Sequence, residues 1–121
     1  MTFKEHLTAV CNALPETFVV TLLDRDGISV DTVSSHATDI DISAYFIELT
    51  GVFMAAMRSS EQMSTGTVSE LVVKTDRVAA VLRPVGEEYF LALALPPEGN
   101  TGKARYLMRV VGPKLLQELI A

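Results

Sequence analysis

Residues 42–63 read ISAYFIELTGVFMAAMRSSEQM and form the longest predominantly apolar stretch of the chain. At about 3.6 residues per turn, the spacing predicts one long helix with two apolar faces. One face is broad, as expected of a helix that lies on a sheet. The other is built mainly of small residues, which allow a second backbone to come close. The broad face consists of Ile42, Tyr45, Phe46, Leu49, Val52, Phe53, Ala56 and Met57, and the opposite face of Ala44, Ile47, Gly51, Met54 and Ala55.

A helix with two apolar faces needs two partners, because neither face is favourable in water. A sheet is the expected partner of the broad face. The face of small residues has two candidate partners, which the pattern does not separate. They are another helix of the same chain and the same helix of a second copy.

The residues at the start of the chain predict a short amphipathic helix over 2–14. Thr2 and Glu5 have capping-box spacing, and Pro15 ends the helix because it supplies no backbone N–H. Asp41, or Asp39 before it, is expected to cap the start of the long helix at 42–63.

Five stretches predict β-strands, since they are rich in β-branched, aromatic and leucine residues and are bounded by turn residues. The predicted strand at 89–95 is almost continuously apolar, which favours a central position in the sheet. A closing helix follows over 101–120 and is expected to continue, with a kink, across Gly112 and Pro113. The predicted strands are 17–23, 28–33, 67–75, 78–84 and 89–95.

The predicted order is helix, strand, strand, helix, strand, strand, strand, helix. This order corresponds to an α+β domain, a five-stranded mostly antiparallel sheet with helices on both faces. The 121 residues fit one domain, 1–121.

Composition narrows the classes of partner. Hydrophobic residues make up 49 % of the chain, which is high for so small a domain and indicates either an unusually complete core or apolar surface kept for a partner. The net charge of −5 argues against binding to nucleic acid or to anionic membranes. Glu48, Thr50 and Arg58 interrupt the long helix, so no membrane span is predicted. The single cysteine, Cys11, cannot form an internal disulfide, and a cytoplasmic location is expected.

The sequence contains no recognisable catalytic, metal or cofactor site. Cys11 is interpreted as a small buried hydrophobe, and His6 and His36 as surface histidines without partners at metal-ligand spacing. Residues 99–103, GNTGK, only partly match a phosphate-binding loop, because Ala104 stands where the Mg²⁺-binding hydroxyl belongs. The residues alone therefore indicate a binding module. Three basic residues on the last helix form either a solvated face or, as the less usual alternative, a docking patch: Lys103, Arg105 and Arg109.

The sequence resembles the roadblock/dynein light chain family, and among its members the short bacterial MglB-type proteins. The resemblance covers most of the chain and is clearest over 81–119, VLRPVGEEYFLALALPPEGNTGKARYLMRVVGPKLLQEL, with D-R-D-G at 24–27 similar to the first hairpin turn of the family. Its motifs are patterned apolar residues and turn glycines. The matching positions are Gly86, 91–95, Gly102, Ala104, Arg105 and Arg109.

The resemblance implies a helix-flanked five-stranded sheet, dimers through the second helix and the adjacent strand, and a Ras-like small GTPase as partner. It implies no catalysis by the chain itself, since MglB-type members act on the active site of their partner. A homodimer interface is accordingly expected at Ala44, Ile47, Gly51, Met54, Ala55, Arg58, Val68 and Leu71, and partner docking at Arg25, Arg58 and Arg105.

Two other functions compete with a GTPase regulator. A small-molecule sensor of PAS, GAF or profilin-like type shares the layering of helices and sheet, but it requires a cavity lined by a few polar groups. A purely structural scaffold subunit has the same sequence features as a regulatory module. A search for a bound metabolite tests the sensor, and co-elution with a Ras-like GTPase, followed by light scattering, separates a regulator from a scaffold.

Overall fold

A computed structural model describes residues 2–120 of the chain. The described residues form an α+β fold whose helices and strands follow the predicted order. The elements are α1 (Phe3–Ala13), β1 (Val19–Asp24), β2 (Ser29–Ser34), α2 (Ile42–Gln62), β3 (Leu71–Lys74), β4 (Ala79–Val85), β5 (Tyr89–Leu95) and α3 (Thr101–Ile120).

The helix starts follow the capping residues. The Thr2 hydroxyl accepts a hydrogen bond from the Glu5 backbone N–H at 3.2 Å, and the Glu5 carboxylate accepts one from the Thr2 N–H, which completes the capping box. Asp41, rather than Asp39, caps α2, since its Oδ1 accepts from the Ala44 N–H at 3.1 Å. α3 remains one helix through Pro113, as predicted.

The five strands form one antiparallel sheet in the order β2-β1-β5-β4-β3. β5 lies at the centre, paired with β1 and β4, and every residue from Phe90 to Leu95 is buried. The prediction that this apolar strand is central is confirmed. Because successive side chains point to opposite faces of a strand, β5 contributes to the core on both sides of the sheet.

Two apolar clusters fill the two sides. The first lies between the sheet and the pair α1 and α3, and its large members include Leu7, Leu14, Leu22, Leu91, Leu93, Leu95 and Met108. The second lies between the sheet and α2, and its large members include Phe46, Leu49, Phe53, Leu82 and Phe90. The Phe53 and Phe90 rings, with centroids 5.0 Å apart, join α2 to the central strand. The layering therefore leaves α2 as the one described helix on its side of the sheet.

Two strand predictions are inaccurate. β3 covers only Leu71–Lys74 and not 67–75, because its pairing with β4 begins at Leu71. Within that sequence, Val68 packs on the second cluster and Glu70 pairs with arginines. In β2, the register against β1 slips by one residue, so that Val30 is an extra, bulged residue. Ile28 and Val30 are both exposed.

Candidate partner-binding surface

The side of α2 that faces away from the sheet is an uncovered apolar stripe. Ile47 is 43 % exposed and Val52 is 49 % exposed, although both are large aliphatic residues. Between them around the helix lie small exposed residues and the exposed, charged Glu48, and no other helix of residues 2–120 covers this side, because α1 and α3 pack on the opposite side of the sheet. The alternative in which a second helix of the same chain covers this face is therefore wrong. We call this surface the α2 stripe, made of Ala44, Ile47, Gly51, Val52 and Ala55.

The prediction that places Val52 on the sheet-facing side of α2 is wrong. The buried arc is centred on Phe46 and Phe53, and it includes Thr50 in place of Val52. Thr50 is tolerated there because its hydroxyl donates to the Phe46 carbonyl at 2.8 Å, so that this hydroxyl is not left unpaired. Val52 consequently adds apolar area to the α2 stripe.

Two glycines define the shape of the α2 stripe. Gly27, in the β1–β2 turn, has φ +83°, and a Cβ there would lie 2.8 Å from the Ile47 Cα. The turn therefore touches α2 and marks one border of the stripe. A Cβ at Gly51, in contrast, would have nothing within 4 Å of it, so packing within the chain does not require a glycine there. A glycine in mid-helix costs about 0.5–1 kcal/mol relative to alanine, and the space above Gly51 is open.

The β3 edge of the sheet packs on the same apolar cluster as α2. β3 pairs with β4 on one side only, and it is the last strand of the sheet. Val68 and Leu71 are half-buried and pack on the same cluster as α2, as Met54 does from the helix. An open strand edge presents unpaired N–H and C=O groups that favour pairing with another strand. The predicted interface residues therefore fall into an exposed group, Ala44, Ile47, Gly51, Ala55 and Arg58, and a half-buried group, Met54, Val68 and Leu71.

The three arginines predicted for partner docking lie apart. Arg25, in the β1–β2 turn, donates a hydrogen bond to the Glu87 carbonyl oxygen in the β4–β5 turn. Arg58 is exposed one turn beyond the small residues of the α2 stripe. Arg105 lies on α3, on the opposite side of the sheet, where it pairs with Glu70. Arg58 adjoins the α2 stripe along the helix, and Arg25 belongs to the turn that borders the stripe.

The described residues offer little to a catalytic role. Burial raises the pKa of the Cys11 thiol, which disfavours the nucleophilic thiolate. The prediction of a surface position is wrong for His6, which is buried between α1 and α3 with its Nε2 3.6 Å from Oε1 of Glu118. His36 is exposed, as expected, with its ring over Phe18. Within residues 2–120, no group of three or more His, Cys, Asp and Glu side chains is arranged to hold a metal ion.

The hollows found in this part of the chain open at its surface. One of them, of about 410 Å³, lies between the loop before α2 and the β3–β4 turn, and Tyr45, Asp76 and Arg77 line it. The hollow is wide open to solvent, so it differs from the enclosing pocket that a metabolite sensor uses. None of the described helices has the length and apolarity that crossing a membrane requires.

Solved structures resemble this fold over nearly the whole chain. MglC from Myxococcus xanthus is 37 % identical in sequence, with a TM-score of 0.69, over 98 % of this chain and 99 % of that one. The gliding protein MglB from Thermus thermophilus has a TM-score of 0.82 at 16 % identity, over 94 % of this chain and 85 % of that one. A Roadblock/LC7 domain from Streptomyces avermitilis has a TM-score of 0.82 at 19 % identity, with both chains covered completely at 100 %.

The two structures with the higher TM-scores show the fold alone, since their identities are low. Neither a family model nor a curated protein matches the sequence. The similarity to MglC is of a different kind, because more than a third of the residues are identical from end to end. The open α2 stripe, the β3 edge and this similarity lead to one conclusion: the chain belongs to the roadblock family, together with MglC.

Proposed function

We propose that the chain is a homodimeric, non-catalytic interaction module that binds and regulates a Ras-like small GTPase in the cytoplasm. The observation that carries the proposal is the α2 stripe together with the open β3 edge. The whole chain, 1–121, acts as one roadblock domain in this proposal. A coarser role, that of a roadblock-type protein-interaction module, already follows from the family.

The dimer is proposed to be symmetric, with the α2 stripe and the β3 edge of each protomer meeting their copies across a two-fold axis. An isologous contact of this kind uses the same patch on both protomers. Covering the exposed half of Ile47 and of Val52 would stabilise the dimer by about 1 kcal/mol each, from the usual value for burying an aliphatic side chain. The space above Gly51 permits the close approach of the two helices.

The GTPase assignment is supported by family membership and by the resemblance to MglB-type proteins. In this proposal the chain supplies a surface, and the chemistry of GTP hydrolysis belongs to the partner. Arg58 is the docking arginine that adjoins the α2 stripe along the helix, so a dimer would present two copies of it, while Arg25 and Arg105 provide further contacts. Stimulation of hydrolysis is proposed as one form of the regulation.

Light scattering coupled to gel filtration tests both parts of the proposal. The chain alone is expected to elute as a dimer. Mixed with a Ras-like GTPase encoded near its gene, it is expected to co-elute with the GTPase when that protein holds a non-hydrolysable GTP analogue, and not when it holds GDP. Ile47→Arg should give a monomer, because it places a charge in the α2 stripe. Asn12→Arg, an exposed position on α1, serves as the matched control and should leave the dimer intact.

The outcomes separate the two parts. A wild-type monomer would contradict the role given to the α2 stripe. A dimer that binds the GTPase in neither nucleotide state would contradict the GTPase assignment and favour a scaffold subunit with another partner.

A further inference from the structure

The outer face of α3 carries a second unusual surface, a line of cations around two apolar side chains. Lys103, Tyr106, Val110 and Lys114 follow one another at helical spacing on the side away from the sheet, and all are exposed. Tyr106 is 56 % exposed and Val110 38 %. Arg109 lies beside them, its guanidinium carbon 5.7 Å from the centroid of the Tyr106 ring. We call these five residues the α3 stripe.

The charge of α3 is opposite to that of the whole chain. The chain has a net charge of −5, yet this helix contains four basic residues and a single acidic one, Glu118. Glu118 lies on the α1 side of the helix, next to the buried His6. Arg105, the fourth basic residue, is already neutralised by Glu70, which also approaches Arg83 at 4.0 Å. The three cations of the α3 stripe are therefore left as a separate group.

The cations of the α3 stripe have no carboxylate partner in the described part of the chain. Among residues 2–120, no Asp or Glu oxygen lies within 4.0 Å of the charged group of Lys103, Arg109 or Lys114. Arg109 is instead held over Tyr106, a contact worth about 0.5–1 kcal/mol at an exposed site. The contact orders both side chains before any partner arrives, which lowers the entropy cost of binding.

We propose that the α3 stripe is a docking site for an acidic segment of a partner protein, one with carboxylates on both sides of an apolar residue. The apolar residue would contact Tyr106 and Val110, and the carboxylates would pair with Lys103, Arg109 and Lys114. Tyrosine and arginine are among the residue types most enriched at the energetic centres of interfaces.

Charge also argues against the other anionic partners. Three cations contribute about 3 kcal/mol at an anionic bilayer, and the net charge of −5 opposes that attraction over the rest of the surface. Nucleic acid would meet the same repulsion along its length. A short acidic segment is attracted to the cations of the α3 stripe, and it is small enough not to contact the acidic surface of the rest of the chain.

This site does not depend on the proposed function. α3 and α2 lie on opposite sides of the sheet, so an acidic segment on α3 and a copy of the chain on α2 would be bound at the same time. Failure of one site leaves the other unaffected, and the two are tested by different variants.

Binding of a defined acidic peptide, followed by amide chemical shifts of the full chain, tests the proposal. The probe is a helical peptide of glutamate and leucine, in which each leucine is flanked by glutamates one turn away. We expect shift changes confined to α3 around 103–114, and affinity that falls as ionic strength rises from about 0.05 to about 0.3 M. The double variant Lys103→Glu with Lys114→Glu should weaken binding by about tenfold or more, because two pairings become repulsions.

A matched double variant controls for net charge. Lys4→Glu with Arg77→Glu makes the same charge change at two exposed positions outside α3, and it should leave the affinity within about twofold. Each of three results would overturn the proposal: an equal loss in both double variants, no shift in α3 at millimolar peptide, or equally tight binding of a peptide with lysine in place of glutamate. Binding to phosphatidylserine vesicles in preference to the peptide would also overturn it.

Discussion

At the scale of single residues, Thr21 and Glu70 show how a buried or half-buried polar group is accommodated. The Thr21 hydroxyl, fully buried in β1, donates to the Asp31 carbonyl of β2 at 2.9 Å and meets the Thr32 hydroxyl at 2.8 Å. Glu70 connects the segment before β3 to α3 through Arg105. In both cases the partners of the polar group come from other elements, so the group is satisfied only in the folded chain.

Cys11 provides a prediction of pH dependence. Burial raises the pKa of its thiol, so the folded chain holds the thiol proton more tightly than the unfolded chain does. The contribution of this group to the free energy of unfolding is present below the unfolded pKa and is lost as the pH rises through the folded pKa. Urea unfolding at about pH 7 and about pH 10 should therefore show a smaller alkaline loss of stability in Cys11→Ala than in the wild type. An identical loss in both proteins would contradict this account.

At the scale of elements, α2 depends on one cap. The sequence leaves Asp39 and Asp41 as alternatives, and the fold selects Asp41 because it turns Oδ1 toward the first free N–H groups of α2. Asp39 instead pairs with Arg77 at 2.7 Å, in a solvent-exposed ion pair.

Removal of the cap should cost measurable stability. Asp41→Ala is expected to lower the free energy of unfolding by about 1 kcal/mol, since an N-cap typically contributes that much. Asp39→Ala is the matched control and should have little effect, because exposed ion pairs contribute little. Thermal unfolding followed by circular dichroism measures both. Equal destabilisation by the two substitutions would mean that the cap is not the relevant interaction.

At the scale of the whole molecule, the two edges of the sheet are unlike. β2 carries a bulge at Val30, which interrupts the regular edge and hinders pairing with another strand. β3 pairs with β4 in continuous register and has no such interruption. In the proposed dimer, pairing through this regular edge and burial of the α2 stripe would occur together.

A dimer held by this surface should make stability depend on concentration. The unfolding temperature of the wild type is expected to rise as the chain concentration increases, because association stabilises only the folded state. Ile47→Arg should remove that dependence, whereas Asn12→Arg should retain it. Differential scanning calorimetry at low and high concentration makes the measurement. If light scattering shows a dimer but the unfolding temperature does not change with concentration, the dimer contact does not contribute to the stability of the folded chain.

Local signals in the amino-acid sequence are sufficient to specify the elements and their order. They include the helical spacing at 42–63, the capping box at Thr2 and Glu5, and the continuous apolar run of β5. Each depends only on residues close together in the chain, so it can be recognised without knowledge of the fold. The α+β layering follows from them, since two apolar helix faces and a central apolar strand permit few arrangements.

Which apolar residues stay exposed depends instead on tertiary contacts. Val52 and Thr50 exchange roles because the buried arc of α2 depends on where the sheet and the Gly27 turn contact the helix. His6 is buried because α3 packs against α1. The α3 stripe is separate for the same reason, since Glu70 pairs with Arg105 and Glu118 approaches His6. Each of these outcomes requires contacts between residues far apart in the chain, which no local pattern specifies.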